Sequence, residues 1–302
     1  MDETRSVGTE HPLWRRIADY PLVAMVLGVA VIVIGIVIST LISQWVVPAI
    51  PGFDTHMKFD LIAAPVLFIL YKLVIRHLGE RHRDDLRFAG SLRPLLIGLA
   101  AGVVIFTAVV AIAGVMGVYR VVGQGDFSGF GPALLLAAIF PAISEEMLFR
   151  GVLFRWIEEF GGSWAALAVT SALFGAAHLT NPNASWVAAV GIAFEAGVML
   201  GAAYMLTRSL WLPMGLHAAW NFTQGEVFGV PVSGTEVHGL LVARLDGPPL
   251  LTGNGFGLEA SLIAIVVATL FGLWLLRLAI RNGQLVKPRW VRRRTGLEPA
   301  AA

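Results

Sequence analysis

The chain contains no cysteine. Disulfides, thiolate metal sites and cysteine nucleophiles are therefore excluded, while the redox compartment is left open. Charge is scarce as well: Asp, Glu, Lys and Arg make up 14% of the 302 residues, where an ordinary soluble domain carries about 25%. No internal repeat, low-complexity tract, lipidation motif or retention signal is visible. What fills the chain instead is apolar residue, 57% by count, which points to an integral membrane protein. The length suits one helical bundle with short loops and leaves no room for a sizeable soluble domain.

Apolar stretches of spanning length fall near 21–47, 59–77, 94–117, 132–156, 163–180, 185–207, 211–229 and 257–280. Turn chemistry separates them, as at Gly161-Gly162 and Asn181-Pro182-Asn183. The first is too long for the apolar core of a signal peptide and reads as a retained span. Arg15 and Arg16, the link holding Lys72, Arg76, Arg81, Arg83, Arg87 and Arg93, then Arg155, Arg208 and the segment from Arg281 to Arg294 all fall on one side if there are eight spans. The positive-inside rule makes that side cytoplasmic. The expected fold is thus all-α: a multi-pass transmembrane helix bundle of about eight spans, both termini cytoplasmic, in the cytoplasmic membrane. Three parts are expected: residues 1–130 with three spans, a core over 131–229 with four, and 230–302 with an extracytoplasmic loop, the last span and a basic tail. That tail reads as an anchor on anionic lipid headgroups rather than a nucleic-acid site, because it directly follows a span.

Within the fourth apolar run stand Glu145, Glu146 and Arg150. A charge at the centre of a bilayer costs about 2.5–3.5 kcal/mol on insertion scales, so such residues mark function by default. On a helix Glu146 and Arg150 lie at i and i+4, within pairing reach. Glu145 is rotated about 100° away, which leaves it free for chemistry. Pro141 is expected to kink the helix just before it. His178 closes the fifth run, and His217 with Asn221 share a face of the seventh. Singly, each His reads as helix-to-helix glue. Together, a free carboxylate, two imidazoles and an amide supply what hydrolysis of an amide by water needs, a base and oxyanion donors. His178 and His217 are expected at depths differing by roughly 10 Å unless a helix breaks.

The strings Glu145-Glu146-Met147-Leu148-Phe149-Arg150, Phe174-Gly175-Ala176-Ala177-His178 and His217-Ala218-Ala219-Trp220-Asn221 resemble, in order, the EExxxR, FxxxH and HxxxN motifs of the CPBP family. These are intramembrane proteases related to the type II CAAX prenyl endopeptidase, and the likeness covers about 131–222. The resemblance implies that Glu145 is the general base, that His178 positions the water, and that His217 and Asn221 stabilise the oxyanion. Glu146 and Arg150 would support the site. The substrate would be a protein or peptide, matured by cleavage near the cytoplasmic face.

A metal-free mechanism without a cofactor is favoured. The alternative is zinc on Glu145, His178 and His217, although the His-Glu-x-x-His sequence is absent. Two rival functions stay open: a non-catalytic binding or immunity protein of the same family, and a proton-coupled transporter using Glu145 and Glu195 as relay acids. Glu195 has no role in the protease reading. Gly123-Gln124-Gly125-Asp126 spells the GxGD of aspartyl intramembrane proteases but sits in a polar link without a second intramembrane aspartate.

Overall fold

A computed structural model describes residues 12–45, 55–79, 83–126 and 138–295. The expected turn at 48–52, Arg81, residues 132–137 of the fourth expected span and the tail from 296 lie outside them. Helices α1 (Leu13–Ala18), α2 (Pro21–Trp45), α3 (Thr55–Leu73) and α4 (Leu92–Val115) lead to strand β1 (Tyr119–Gln124). Helix α5 (Phe140–Glu146) continues through a π-helical segment, Met147–Phe154, into α6 (Arg155–Gly161). Helix α7 (Ser163–Ala177) ends in a 3-10 turn at His178–Thr180. Helix α8 (Trp186–Ile192) passes through the π-helical segment Ala193–Gly197 into α9 (Val198–Thr207), and α10 (Trp211–Phe222) runs on as Thr223–Val227, again π-helical. Strand β2 (Leu241–Leu245), α11 (Pro249–Thr252), α12 (Leu262–Arg281) and α13 (Arg289–Thr295) follow among the described residues.

The molecule is a helical membrane protein, with one small departure from all-α. Strands β1 and β2 pair antiparallel, Tyr119 opposite Leu245. Among the described residues five helical stretches are long and apolar enough to cross a membrane: Pro21–Trp45, Leu92–Val115, Ser163–Thr180, Trp186–Thr207 and Leu262–Arg281. The other three expected spans are helical too, but more polar or shorter. Helix α3 carries Lys58, Asp60 and Lys72. The α5–α6 stretch carries the motif charges. Helix α10 has 12 residues before its π-helical extension of 5. Most of α10 is buried by protein, so it is not required to be an apolar lipid-facing rod.

Lipid gives helices no hydrophobic reason to associate, so close approach through small residues does that work. Helices α4 and α10 illustrate it. A Cβ on Gly102 would stand 2.5 Å from the Leu216 carbonyl oxygen, and one on Gly215 would stand 2.5 Å from that of Leu95. This backbone-to-backbone crossing fixes the turn of α10 that carries His217.

The bundle has two unlike ends. At one, the basic links are laced together. Arg83 donates to Asp85 at 2.7 Å and to the Tyr204 hydroxyl at 2.5 Å, and Arg155 donates to the Arg83 carbonyl at 3.0 Å. Arg208 pairs with Glu158, and Arg292 donates to the Glu159 carbonyl at 2.8 Å. Arg15 reaches the His77 carbonyl at 2.7 Å. Helices α1 and α13 therefore both sit at this end. At the other end lie the β-ribbon and the segment after α10: the Tyr119 hydroxyl donates to the Phe228 carbonyl at 2.9 Å, Asn183 donates to the Gly234 carbonyl at 3.1 Å, and Gly234 N–H donates to the Phe256 carbonyl at 2.9 Å.

Candidate active site

The first motif straddles a change of helix type. Glu146 ends α5, and Met147 begins the π-helical turn that contains Arg150. The expected pair forms nonetheless, with Arg150 Nη1 2.7 Å from Glu146 Oε1, both side chains fully buried. Arg150 also donates to the Ala196 and Gly197 carbonyls at 3.3 and 3.4 Å, binding the α8–α9 helix to the motif. Pro141 lies in the first turn of α5, directly after π-helical residues 138–139. Three π-helical insertions in the three helices around the site fit their frequent use at functional positions.

Glu146 does more than hold Arg150. The same Oε1 lies 3.0 Å from His217 Nδ1. A carboxylate only accepts, so Nδ1 carries a proton and the ring presents Nε2 elsewhere. His178 is fixed in the same way, its Nδ1 donating to the Phe174 carbonyl at 2.7 Å. Phe174 is the hub: its ring centroid lies 4.8 Å from that of His178 and 6.2 Å from that of His217, and the Arg150 guanidinium sits 4.6 Å from it. That gives the first letter of FxxxH a physical task. The ring sets both imidazoles and the arginine, and the backbone sets a tautomer.

The feared mismatch in depth does not arise. The α-helical hydrogen bonding of α7 gives way to the 3-10 turn at His178, and α10 is prolonged beyond His217. Both imidazoles and Asn221 line one pocket, with Glu195, Ile192, Leu216 and Trp220 around them. Glu145 is not among the lining residues; it is half-buried beside Glu146, and its charge acts on both His217 and Arg150. Its Oε2 is buried and accepts no hydrogen bond among the described residues.

Sequence reasoning missed Glu259 and Ser233, which also line the pocket. Glu259 is 3% exposed and accepts from the Ser233 N–H. Glu195, an acid without a role in the sequence, is 1% exposed, and its Oε2 has no hydrogen-bond partner among the described residues. The residues from 230 onward thus contribute to the site, a fact hidden by the position of Glu259 at the edge of the last apolar run. Its setting between Gly257 and Ser261, in a 3-10 turn before the span rather than inside it, was the available signal.

For zinc, the second ring nitrogens of His178 and His217 and the Glu145 carboxylate have suitable chemistry. Among the described residues, however, no three His, Asp or Glu side chains converge as a metal site, so no chemical step is routed through a metal here. GxGD at Gly123–Asp126 falls at the end of β1 and outside the pocket.

Residues 127–223 match the family model described as type II CAAX prenyl endopeptidase Rce1-like. No curated protein and no solved structure matched the chain.

Proposed function

We infer, from the premise that residues 127–223 are a domain of the Rce1-like type II CAAX prenyl endopeptidase family, that the chain is an intramembrane endopeptidase using a glutamate-activated water. The carrying observation is the division of labour between adjacent acids. Glu146 Oε1 is shared by Arg150 and His217, whereas no such ion pair holds Glu145, and the Oε2 of each acid is buried without a hydrogen-bond partner among the described residues. Glu145 takes a proton from water, and the hydroxide attacks the scissile carbonyl carbon. His178, with its proton on Nδ1, offers Nε2 as an acceptor that orients the water. His217 acts as an imidazolium, Nδ1–H on Glu146 and Nε2–H on the developing oxyanion, with the Asn221 amide as second donor. The proton held by Glu145 then passes to the leaving amine as the C–N bond breaks.

The substrate is a protein or peptide, cut during maturation. Eight membrane crossings with both termini cytoplasmic accord with α1 and α13 sharing one end of the bundle. The exposed Arg293 and Arg294 on α13 suit anionic lipid headgroups. The test is a comparison of membrane proteomes from cells carrying the native chain or Glu145→Gln. Uncleaved precursors accumulating only with the variant support the reading. Identical proteomes, with both chains present at equal level, refute it. Restoration of a chelated, inactive enzyme by zinc would refute the metal-free mechanism alone.

A further inference from the structure

The structure assigns the two acids that the hydrolysis leaves unused, Glu195 and Glu259, to a subsite for a lysine side chain of the substrate beside the scissile bond. This rests on the endopeptidase reading and deepens it by naming a substrate class. Both acids line the pocket that His178, His217 and Asn221 also line. They arrive from separate elements: Glu195 from the π-helical segment between α8 and α9, Glu259 from the 3-10 turn before α12. Glu259 lies within electrostatic reach of Glu195. Each placement is built. A π-helical turn holds an extra residue and so re-aims the side chains it carries, a device frequent at functional positions. On the other side, Gly257 has a φ of +113°, and a Cβ there would stand 2.1 Å from the Pro231 carbonyl oxygen, so only glycine lets the turn close. That carbonyl is held in turn by the Gln224 amide, which donates to it at 2.5 Å. Glu259 then accepts from the Ser233 N–H.

What the pair lacks is a cation. Glu195 is almost wholly buried, and its Oε2 has no hydrogen-bond partner among the described residues. No Lys or Arg among the described residues lines the pocket. Arg150 and His217, the neighbouring cationic groups, are both taken by Glu146. A buried carboxylate without a partner is costly, and a cation entering the pocket offsets that cost. Size selects the cation. The free space is about 20 Å³, room for a group the size of one water. An ammonium is compact and brings its donors to one point, whereas a guanidinium is a broad rigid plane. The subsite therefore suits lysine and not arginine. Since the oxyanion donors His217 and Asn221 share the same pocket, that lysine stands next to the carbonyl they hold. A neutral side chain in its place would leave both carboxyls unanswered, and sites built to bond a polar group reject analogues that lack it.

The test has a binding arm and a cleavage arm, both on the full-length chain in detergent. For binding, N-acetyl-lysine methylamide and its norleucine and arginine counterparts are titrated against Glu145→Gln, and saturation-transfer NMR reads the dissociation constants. The lysine compound is expected to bind about tenfold more tightly than either counterpart, or better. Adding Glu195→Gln is expected to abolish that advantage, and Glu259→Gln serves as a second removal should the first fail to fold. Equal binding of the three compounds, or an advantage untouched by either substitution, overturns the subsite. For cleavage, the native chain is given a peptide library cut from a membrane proteome by a glutamate-specific protease, which leaves internal lysines intact. Lysine beside the scissile bond is expected to be enriched about tenfold over its frequency in the library. Peptides cut with no such enrichment overturn the subsite and leave the endopeptidase reading standing. Lysine-selective binding with no peptide cut does the reverse: the subsite holds and the endopeptidase reading fails.

Discussion

Both ends of this bundle bury charge, but in opposite styles. At the basic end Asp85 is fully satisfied: Oδ1 accepts from Arg83 at 2.7 Å, and Oδ2 accepts from the Tyr204 and Tyr71 hydroxyls at 3.0 and 3.2 Å. At the pocket end, Glu145, Glu146 and Glu195 each keep a buried oxygen with no partner among the described residues. A buried polar atom left unpaired costs roughly 1–3 kcal/mol. Trp156 Nε1 and Asp19 Oδ1 show that the basic end also leaves single polar atoms open, but it is at the pocket end that several carboxylate oxygens are left open together. Buried charge alone therefore does not mark an active site. Unfinished hydrogen bonding beside a pocket is the better sign.

The contrast can be broken from either end. The largest effect is expected for Glu145→Gln, which should lower proteolysis by about 10²–10⁴-fold, the usual worth of a general base. Its thermal unfolding in detergent should match that of the native chain. Next comes Arg150→Leu, which leaves the Glu146 carboxylate buried without its cation. Breaking one side of a buried pair costs about 3–5 kcal/mol, so unfolding should shift strongly. The double variant Glu146→Gln, Arg150→Met should recover much of that stability but not activity, because His217 has lost its carboxylate.

Asp85→Asn should cost about 1.5–3 kcal/mol, the scale of a hydrogen bond to a charged group, while sparing turnover per folded molecule. It also sets a pH signature. Burial pushes the Asp85 carboxyl up, but Arg83 and Arg155 beside it prevail and hold it below the ordinary carboxylate range. With the folded value depressed, the stabilisation is complete above the unfolded value of about 3.9 and is lost as pH falls through the folded one. Acid titration of unfolding should therefore find the gap between native and Asp85→Asn constant near neutrality and closing below about pH 4.

Gly102→Val drives a side chain into the Leu216 carbonyl, and overpacking of this kind costs about 1–3 kcal/mol. Since the crossing also carries His217, activity should fall further than stability predicts. The smallest effect belongs to the tail: Arg293→Gln with Arg294→Gln should weaken association with anionic vesicles by about 1 kcal/mol per arginine, read by a vesicle-binding titration against neutral lipid.

Much of this was legible in the sequence because lipid permits few solutions. The five long apolar helices and their order follow from hydropathy, the clustering of the basic links from arginine placement, and the pairing of Glu146 with Arg150 from helical spacing. Illegible features depended on local breaks and long-range closure. Nothing in the spacing of Glu145 to Arg150 announces a π-helical turn. The common pocket of His178 and His217 depends on where α7 breaks. Glu259 joins the pocket from 81 residues beyond His178, counted along the chain, through the Ser233 contact that no periodicity encodes. The short ribbon was missed because Tyr119–Gln124 pairs with a partner more than a hundred residues away.

The most direct measurement takes the precursor recovered from Glu145→Gln membranes and assays its cleavage by purified native, Glu145→Gln and Asp85→Asn chains, each rate divided by the folded fraction. The account predicts at least a hundredfold loss for Glu145→Gln, the lower bound for a general base, and a near-native rate for Asp85→Asn. Equal rates for native and Glu145→Gln, or a loss confined to Asp85→Asn, would contradict it.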